Sequence, residues 1–427
     1  MSHSPESHLR REIVAGATTF ATMAYVFVVN PMILSGAGMP FGPAMTATVL
    51  AAFTGTLLMG VYARRPFAVA PYMGENAFVA VTVVGVLGFT WQQALGAIFI
   101  GGVLFTLLTL SGLRGRLTRA VPDSLKIAFA AGIGLFLAFV GMNSAGLVEL
   151  GGPGAPVRVA HLTTTGPLLA LGGILLMGWL VYRRVPGALL IGILAVAALG
   201  FALGAASLPD KLVDKPPPLT PLLFGLDIAG ALRWDFLPVI LTVFILDFVD
   251  TMGTLLGLAR RTDMLDAEGN LPEIEKPMLC DSVATMAGAV LGTTTTGTYL
   301  ESAAGIEAGG RTGLTSVVTA LLFLSMLFLS PLFGAIPGFA YGPALVLVGA
   351  MMLQPLRDLD TDDMTEVLPA FLTMIMMAFT LNLGVGLTAG LAAWPLLKLL
   401  TGRAREVRPG MWVLGAVSVL FFAIHPY

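Results

Sequence analysis

Long apolar stretches recur from one end of this chain to the other, and no other feature limits its fold so strongly. They lie near 13–36, 44–62, 69–88, 93–111, 125–144, 167–182 and 187–205. After a proline-rich break, DKLVDKPPPLTP at 210–221, they resume near 236–259, 279–292, 295–308, 312–333, 342–355, 366–382 and 384–400. A bilayer core of about 30 Å takes roughly 20 residues of helix. Inside lipid only helices or closed barrels satisfy every backbone N–H and C=O. Charged residues make up 11% of the 427, against roughly 25% in a soluble domain, so a single soluble core is excluded. The expected fold class is all-α: a polytopic membrane protein with fourteen transmembrane segments. Several segments are too short to cross as continuous helices, which points to broken ones.

Sidedness follows from lysine and arginine rather than from the net charge, which at −2 says little about partners. With the N-terminus in the cytoplasm, strict alternation leaves Arg158, Lys211, Lys215 and Arg233 outside. The other 19 of 23 basic residues fall inside, among them Arg114, Arg116, Arg119, Arg311 and Lys398. That is the positive-inside bias, and a wrong segment count would scramble it. Seven segments before the break and seven after it set two homologous halves in opposite orientations, the inverted-repeat plan of secondary transporters. The halves are residues 1–209 and 236–427, joined by an extracytoplasmic linker at 210–235. The stretch 410–427 is either a further crossing or an interfacial helix.

The first dozen residues, MSHSPESHLRRE, have no apolar centre and do not read as a cleavable signal. A single cysteine, Cys280, excludes an intramolecular disulfide and a cysteine metal cluster. His3, His8, His161 and His425 fall at termini or in a loop, which argues against a histidine proton relay in the membrane. Neither a metal nor an organic cofactor is expected.

An ionisable group at mid-bilayer costs about 2.5–3.5 kcal/mol on insertion scales, so each one needs a reason. In LTVFILDFVDTMGTLLG (241–257), Asp247 and Asp250 are three residues apart and share one helical face. No Lys or Arg lies at comparable depth. In TTTTGTYLESAAGIEAGG (293–310), four threonines favour extended backbone. Non-helical backbone at that depth is tolerated only where protein buries it or it lines a cavity. Glu301 then begins a half-helix, where free N–H groups and the dipole favour an anion; capping its own helix is the plainer role, and the two are compatible. The third segment mirrors the tenth: Tyr72-Met73-Gly74-Glu75-Asn76-Ala77 follows PFAVAP as Tyr299-Leu300-Glu301-Ser302-Ala303 follows GTTTTGT. Asn76 brings donors and an acceptor suited to a heterocyclic edge. Two placements stay open for Glu75: facing the site, or pairing with Arg64 or Arg65. The loop 260–278 and the run Asp358, Asp360, Asp362, Asp363 read as solvated surface, and Arg311 as a membrane-side anchor.

REIVAGATTFATMAYVFVVNPMILSGAGMP (11–40), GENAF (74–78), DFVDTMGTLLG (247–257) and TYLESAAGIEAGGRTGLTSVV (298–318) resemble one family. These are the hypoxanthine/adenine/guanine permeases, the AzgA-like branch of the nucleobase–cation symporters, and the resemblance runs along nearly the whole chain. It implies a core domain (13–111 and 236–333) moving elevator-fashion against a gate domain (125–205 and 342–401). Short strands would lie in the third and tenth segments, with a purine between them beside the eighth. Proton-coupled purine uptake through the cytoplasmic membrane, driven by the proton gradient, is implied, as is a homodimer; no nucleic-acid partner is. Carried onto this chain, the site is Asn76, Asp247, Asp250 and Glu301, with neighbouring backbone from Ala77 and Ser302.

Glu301 and Asp247 are expected to grip the base through N–H···O bonds, with Asn76 reading an acceptor edge and Phe78 or Tyr299 stacking on the ring. Asp250 is the first candidate for the coupling proton, with Asp247 and Glu301 also open. Family members often carry an apolar residue where this chain has Glu75, which bears on substrate preference. Two other readings compete. A sulfate-type anion carrier shares the architecture but wants basic groups in the site. An intramembrane prenyltransferase holding Mg²⁺-diphosphate on Asp-x-x-Asp wants a second acidic motif at the same depth.

Overall fold

Proline, glycine and threonine decide where the helices of this chain stop. The computed structural model describes residues 5–112, 120–151, 157–261, 264–266 and 271–424. His3, Arg114, Arg116, Arg119 and His425 lie outside the described residues. The first segment is two helices, α1 (Pro5–Met23) and α2 (Val26–Ser35), parted at Ala24 and Tyr25. Next come α3 (Phe41–Leu58), the strand β1 (Val69–Pro71), α4 (Met73–Ala77, running on as a π-helix to Val86) and α5 (Trp91–Leu110). After α6 (Asp123–Ser144) a surface hairpin, β2 (Val148–Leu150) with β3 (Val157–Val159), precedes α7 (Thr165–Tyr182) and α8 (Ala188–Ala202). The second half has α9 (Leu237–Arg261), α10 (Glu275–Leu291), β4 (Thr296–Thr298), α11 (Ser302–Glu307) and α12 (Gly313–Phe323). It closes with α13 (Gly338–Met351), α14 (Met364–Phe379), α15 (Leu383–Leu400) and α16 (Pro409–Ile424).

Among the described residues, nine helical stretches are long and apolar enough to cross a bilayer. Four further apolar helices are shorter: Met73–Val86, Ala188–Ala202, Met364–Phe379 and Pro409–Leu420. The protein is therefore a mostly helical, multi-pass membrane protein. The 16 residues of α16 reach about 24 Å at helical rise. This helix packs along α15, close enough that a Cβ on Gly415 would lie 2.8 Å from the Pro395 ring.

The breaks in the third and tenth segments meet each other. β1 and β4 pair antiparallel in the register Val69↔Thr298, Ala70↔Gly297, Pro71↔Thr296. Pro71 pushes Ala70 into the extended region, and β-branched threonines favour it in β4. Gly292, at φ +97°, ends α10 in a left-handed turn that releases the chain into the strand. Gly297 is required by close packing: a Cβ there would sit 2.4 Å from the Tyr72 hydroxyl.

Elsewhere small residues let helices close up, as expected where lipid supplies no hydrophobic drive between them. Gly134 and Gly141 of α6 face Gly349 and Gly342 of α13. A Cβ on Gly342 would lie 2.6 Å from the Gly141 carbonyl oxygen, and one on Gly349 would lie 2.3 Å from that of Gly134.

Lys398, placed above on the cytoplasmic side, is not a free surface cation. It is 1% exposed, and its ammonium pairs with Glu366 at 2.8 Å and Glu406 at 3.0 Å. Burying an ammonium is tolerable only with such partners, and Arg403 extends the cluster to Asp363 at 2.5 Å. Hydrogen bonds from Thr365 and then Arg403 hold the Asp363 carboxyl well below the usual carboxylate range. Asp363 also caps α14, so it is more than the solvated surface charge expected of it. Arg311 donates to the Ile306 and Gly310 carbonyls at the end of α11.

Replacing Gly342 by alanine forces α6 and α13 apart. The expected cost is about 1–3 kcal/mol of overpacking, read as a lower unfolding temperature of the detergent-purified protein. Gly172→Ala, where nothing lies within 4 Å, leaves that temperature unchanged.

Candidate functional site

The two-stranded joint organises the acidic residues around it. Its backbone groups are satisfied by side chains on both outer edges. On the β1 side, Thr56 of α3 accepts from Val69 N and donates to Val69 O, both at 2.9 Å. The Ser302 hydroxyl accepts from Ala68 N at 2.9 Å. On the β4 side, the Thr285 hydroxyl of α10 accepts from Thr296 N at 3.1 Å. Its single hydrogen is shared between Thr296 O and Asp247 Oδ2, each at 3.1 Å. Asp281, also on α10, accepts from Thr298 N at 3.0 Å and from the Thr298 hydroxyl at 2.9 Å.

Asp281 braces the joint, and the sequence alone does not single it out. It is completely buried. The signal was present, an acid inside the ninth apolar segment, but that segment was begun at 279, which left Asp281 at its rim. The helix starts at Glu275 instead.

Asn76 is completely buried, and neither its amide oxygen nor its amide nitrogen has a hydrogen-bond partner among the described residues. Asp247 is 1% exposed, with Oδ2 on Thr285 and Oδ1 unpartnered. Asp250, one turn further along α9, is half-buried. Glu75 is 1% exposed, and both its oxygens lack partners. Of its two placements, pairing with Arg64 or Arg65 does not occur; Arg65 donates to the Pro272 carbonyl instead. Glu75 lies close enough to Asp250 and Asp247 to feel their charge, as Asp250 does that of Glu301. Among the described residues no lysine or arginine pairs with any of these carboxylates. No cluster suited to a metal ion occurs among them either.

Glu301 stands at the N-cap position of α11 but its carboxylate makes no capping bond there; it is held from the first segment instead. The Tyr25 hydroxyl donates to Glu301 Oε1 at 2.8 Å, and Thr22 reaches the Glu301 carbonyl at 3.4 Å. The two stacking candidates differ. The Tyr299 ring lies 5.8 Å from that of Tyr72, nearly parallel, and its hydroxyl bonds the Pro71 carbonyl, so it braces the joint. Phe78 is 1% exposed and lines a small cavity with Thr242, Asn382 and Gly384. Ala77 is buried beside Asn76, and Ser302 N donates to Tyr299 O at 3.2 Å.

The comparisons with known proteins agree in class. The model of the Permease family, Xan_ur_permease, matches residues 10–393. The adenine permease AdeP of Escherichia coli is 36% identical over 96% of this chain and 92% of its own. The guanine/hypoxanthine permease PbuG of Bacillus subtilis is 38% identical over 97% of this chain and 96% of its own. Among solved structures, the transmembrane domain of the cyanobacterial bicarbonate transporter BicA superposes with a TM-score of 0.67. It covers 91% of this chain and 98% of that domain at 14% identity, a likeness of fold.

Asp281→Ala strips the Thr298 amide and hydroxyl of their acceptor in a dry interior. A buried donor left unpaired costs about 1–3 kcal/mol, so a lower unfolding temperature is expected. Thr285→Val acts on the same strand and is expected to lower it in the same direction.

Proposed function

The chain belongs to the Permease family, Xan_ur_permease, and from that premise we propose that it takes up purine nucleobases of the hypoxanthine, guanine and adenine class with protons. One observation supports the reading above all: the unpartnered polar atoms of Asn76 and Asp247 beside the β1–β4 joint. A buried polar group without a partner costs about 1–3 kcal/mol, and a purine edge supplies both missing kinds of partner. The Asn76 amide, with a donor and an acceptor side by side, matches the paired acceptor and amino group of an adenine-type edge. Asp247 Oδ1 and Glu301 accept ring N–H or amino donors, and charged acceptors bond these about twice as strongly as neutral ones. Phe78 supplies apolar surface to the ring, while Ala77 and Ser302 fix the backbone on either side. Glu75, unpaired and near both aspartates, adds a third acceptor.

Several carboxylates crowded in one dry place cannot all stay ionised. Asp250 carries the coupling proton in this reading, being half-buried and in the field of Glu301, with Asp247 and Glu301 as the remaining candidates. Residues 13–111 and 236–333 form a core that moves elevator-fashion against a gate of 125–205 and 342–401, each drawing segments from both of the two inverted seven-segment repeats. The protein sits as a homodimer in the cytoplasmic membrane with its N-terminus inside.

The family relatives are permeases and not enzymes, which leaves the prenyltransferase reading without support. The fold shared with a bicarbonate transporter keeps an anion carrier in view, but carboxylates without basic partners repel an anion.

Labelled hypoxanthine uptake into cells lacking their own purine permeases tests the proposal, with unlabelled adenine, guanine and xanthine as competitors. Asp247→Asn and Glu301→Gln are each expected to cut uptake at least about tenfold, the loss of one charge-assisted hydrogen bond. Undiminished uptake in both variants would sink the site assignment. A protonophore is expected to collapse uptake, and indifference to it removes proton coupling.

A further inference from the structure

The first segment contributes a residue that no role above explains. Tyr25 sits where α1 stops and α2 begins, the N-cap residue of α2, and is 1% exposed. Its ring is packed in the main apolar core, so the hydroxyl cannot swing away cheaply. That hydroxyl donates to Glu301 Oε1 at 2.8 Å. Glu301 is thus distinguished from Asn76, Glu75 and Asp247 Oδ1, all of which are unpartnered.

We propose that Tyr25 is a specificity-determining residue of the purine site: by taking one lone pair of Oε1 it leaves Oε2 as the one fully open oxygen of Glu301 for a ligand donor. The inference rests on the purine-carrying function proposed above. A free carboxylate is a fork that accepts two parallel N–H donors. Guanine presents such a pair on one edge, the ring N1–H and the adjacent 2-amino group. Hypoxanthine presents N1–H alone there, and adenine an amino group beside an acceptor nitrogen. A carboxylate with both oxygens open favours guanine over the other two, whereas one whose Oε1 already accepts from Tyr25 gains less from a second donor. Tyr25 therefore levels the preference among purines, and removing its hydroxyl tilts it towards guanine.

The test is competition by unlabelled guanine and hypoxanthine against labelled hypoxanthine, in wild type and in Tyr25→Phe, which keeps the buried ring. The ratio of the two inhibition constants is expected to shift towards guanine by about tenfold, the size of one gained charge-assisted hydrogen bond. Tyr25→Leu, which also lacks the hydroxyl, is expected to move the ratio in the same direction. Thr22→Val, which removes a hydroxyl bonded to the backbone carbonyls of Thr18, Thr19 and Glu301 but not to the Glu301 carboxylate, should leave it unchanged. An unaltered ratio in both Tyr25 variants, or an equal shift in Thr22→Val, overturns the inference. Absence of any purine uptake by the wild type would instead overturn the function beneath it. The ratio, rather than the rate, is the readout, because loosened packing slows both bases alike.

Discussion

Everything at the centre of this protein depends on one accounting problem: two short strands placed where no water can complete their hydrogen bonds. A hairpin of three-residue strands is unstable alone, and each exposed edge group in an apolar interior carries the full cost of desolvation. The chain solves this with side chains. Thr56 serves both backbone groups of Val69, Ser302 serves Ala68, and Thr285 and Asp281 serve Thr296 and Thr298. The partners come from α3, α10 and the start of α11, so the joint also ties three helices together. Asn76 and Glu301 follow the two strands by a few residues and inherit their fixed positions.

The chain treats structural and functional charge differently, and the contrast argues for which is which. Glu12 is 1% exposed, yet its carboxylate accepts from Arg311 N, Thr312 N and the Thr315 hydroxyl, capping α12 from α1. Lys398 is equally buried and has two carboxylates in contact. Asp281 is satisfied by Thr298. Buried charge is costly unless paired and hydrogen-bonded, and at these positions the chain obeys. Glu75 and one oxygen of Asp247 do not obey, and they cluster with an equally unpartnered Asn76. Local rules broken together at one place mark a functional site more firmly than any one violation.

Apolar stretches made the helical, membrane-spanning class legible in the sequence, and the rule that intramembrane charge needs a reason drew attention to Asp247, Asp250 and Glu301. Four threonines and a proline likewise betrayed both breaks. Pairing between β1 and β4 was not legible, because strands 227 residues apart carry no local signal of register. Asp281 was lost to a helix boundary misjudged by four residues. Tyr25 and Thr56 look like ordinary membrane-helix residues until folding brings them against Glu301 and Val69. Lys398 shows the limit of charge counting: sidedness was assigned to it, but its burial depends on Glu366 and Glu406 from other elements.

The packing around Asn76 is lopsided. Towards α3 and α10 the joint is held by directional bonds to Val69, Thr296 and Thr298. Towards α6, α4 presents Gly74, where even a Cβ would fall 2.4 Å from Ile133 Cγ2. That contact is close but apolar, with no polar atom on either side. The polar tie nearby is Thr82, whose hydroxyl donates to the Leu381 carbonyl. Dispersion contacts over a smooth face are weak individually and tolerate sliding, whereas a network of buried hydrogen bonds resists shear because each broken bond strands a donor. The two sides of this region therefore differ in kind: hydrogen-bonded towards α3 and α10, apolar towards α6.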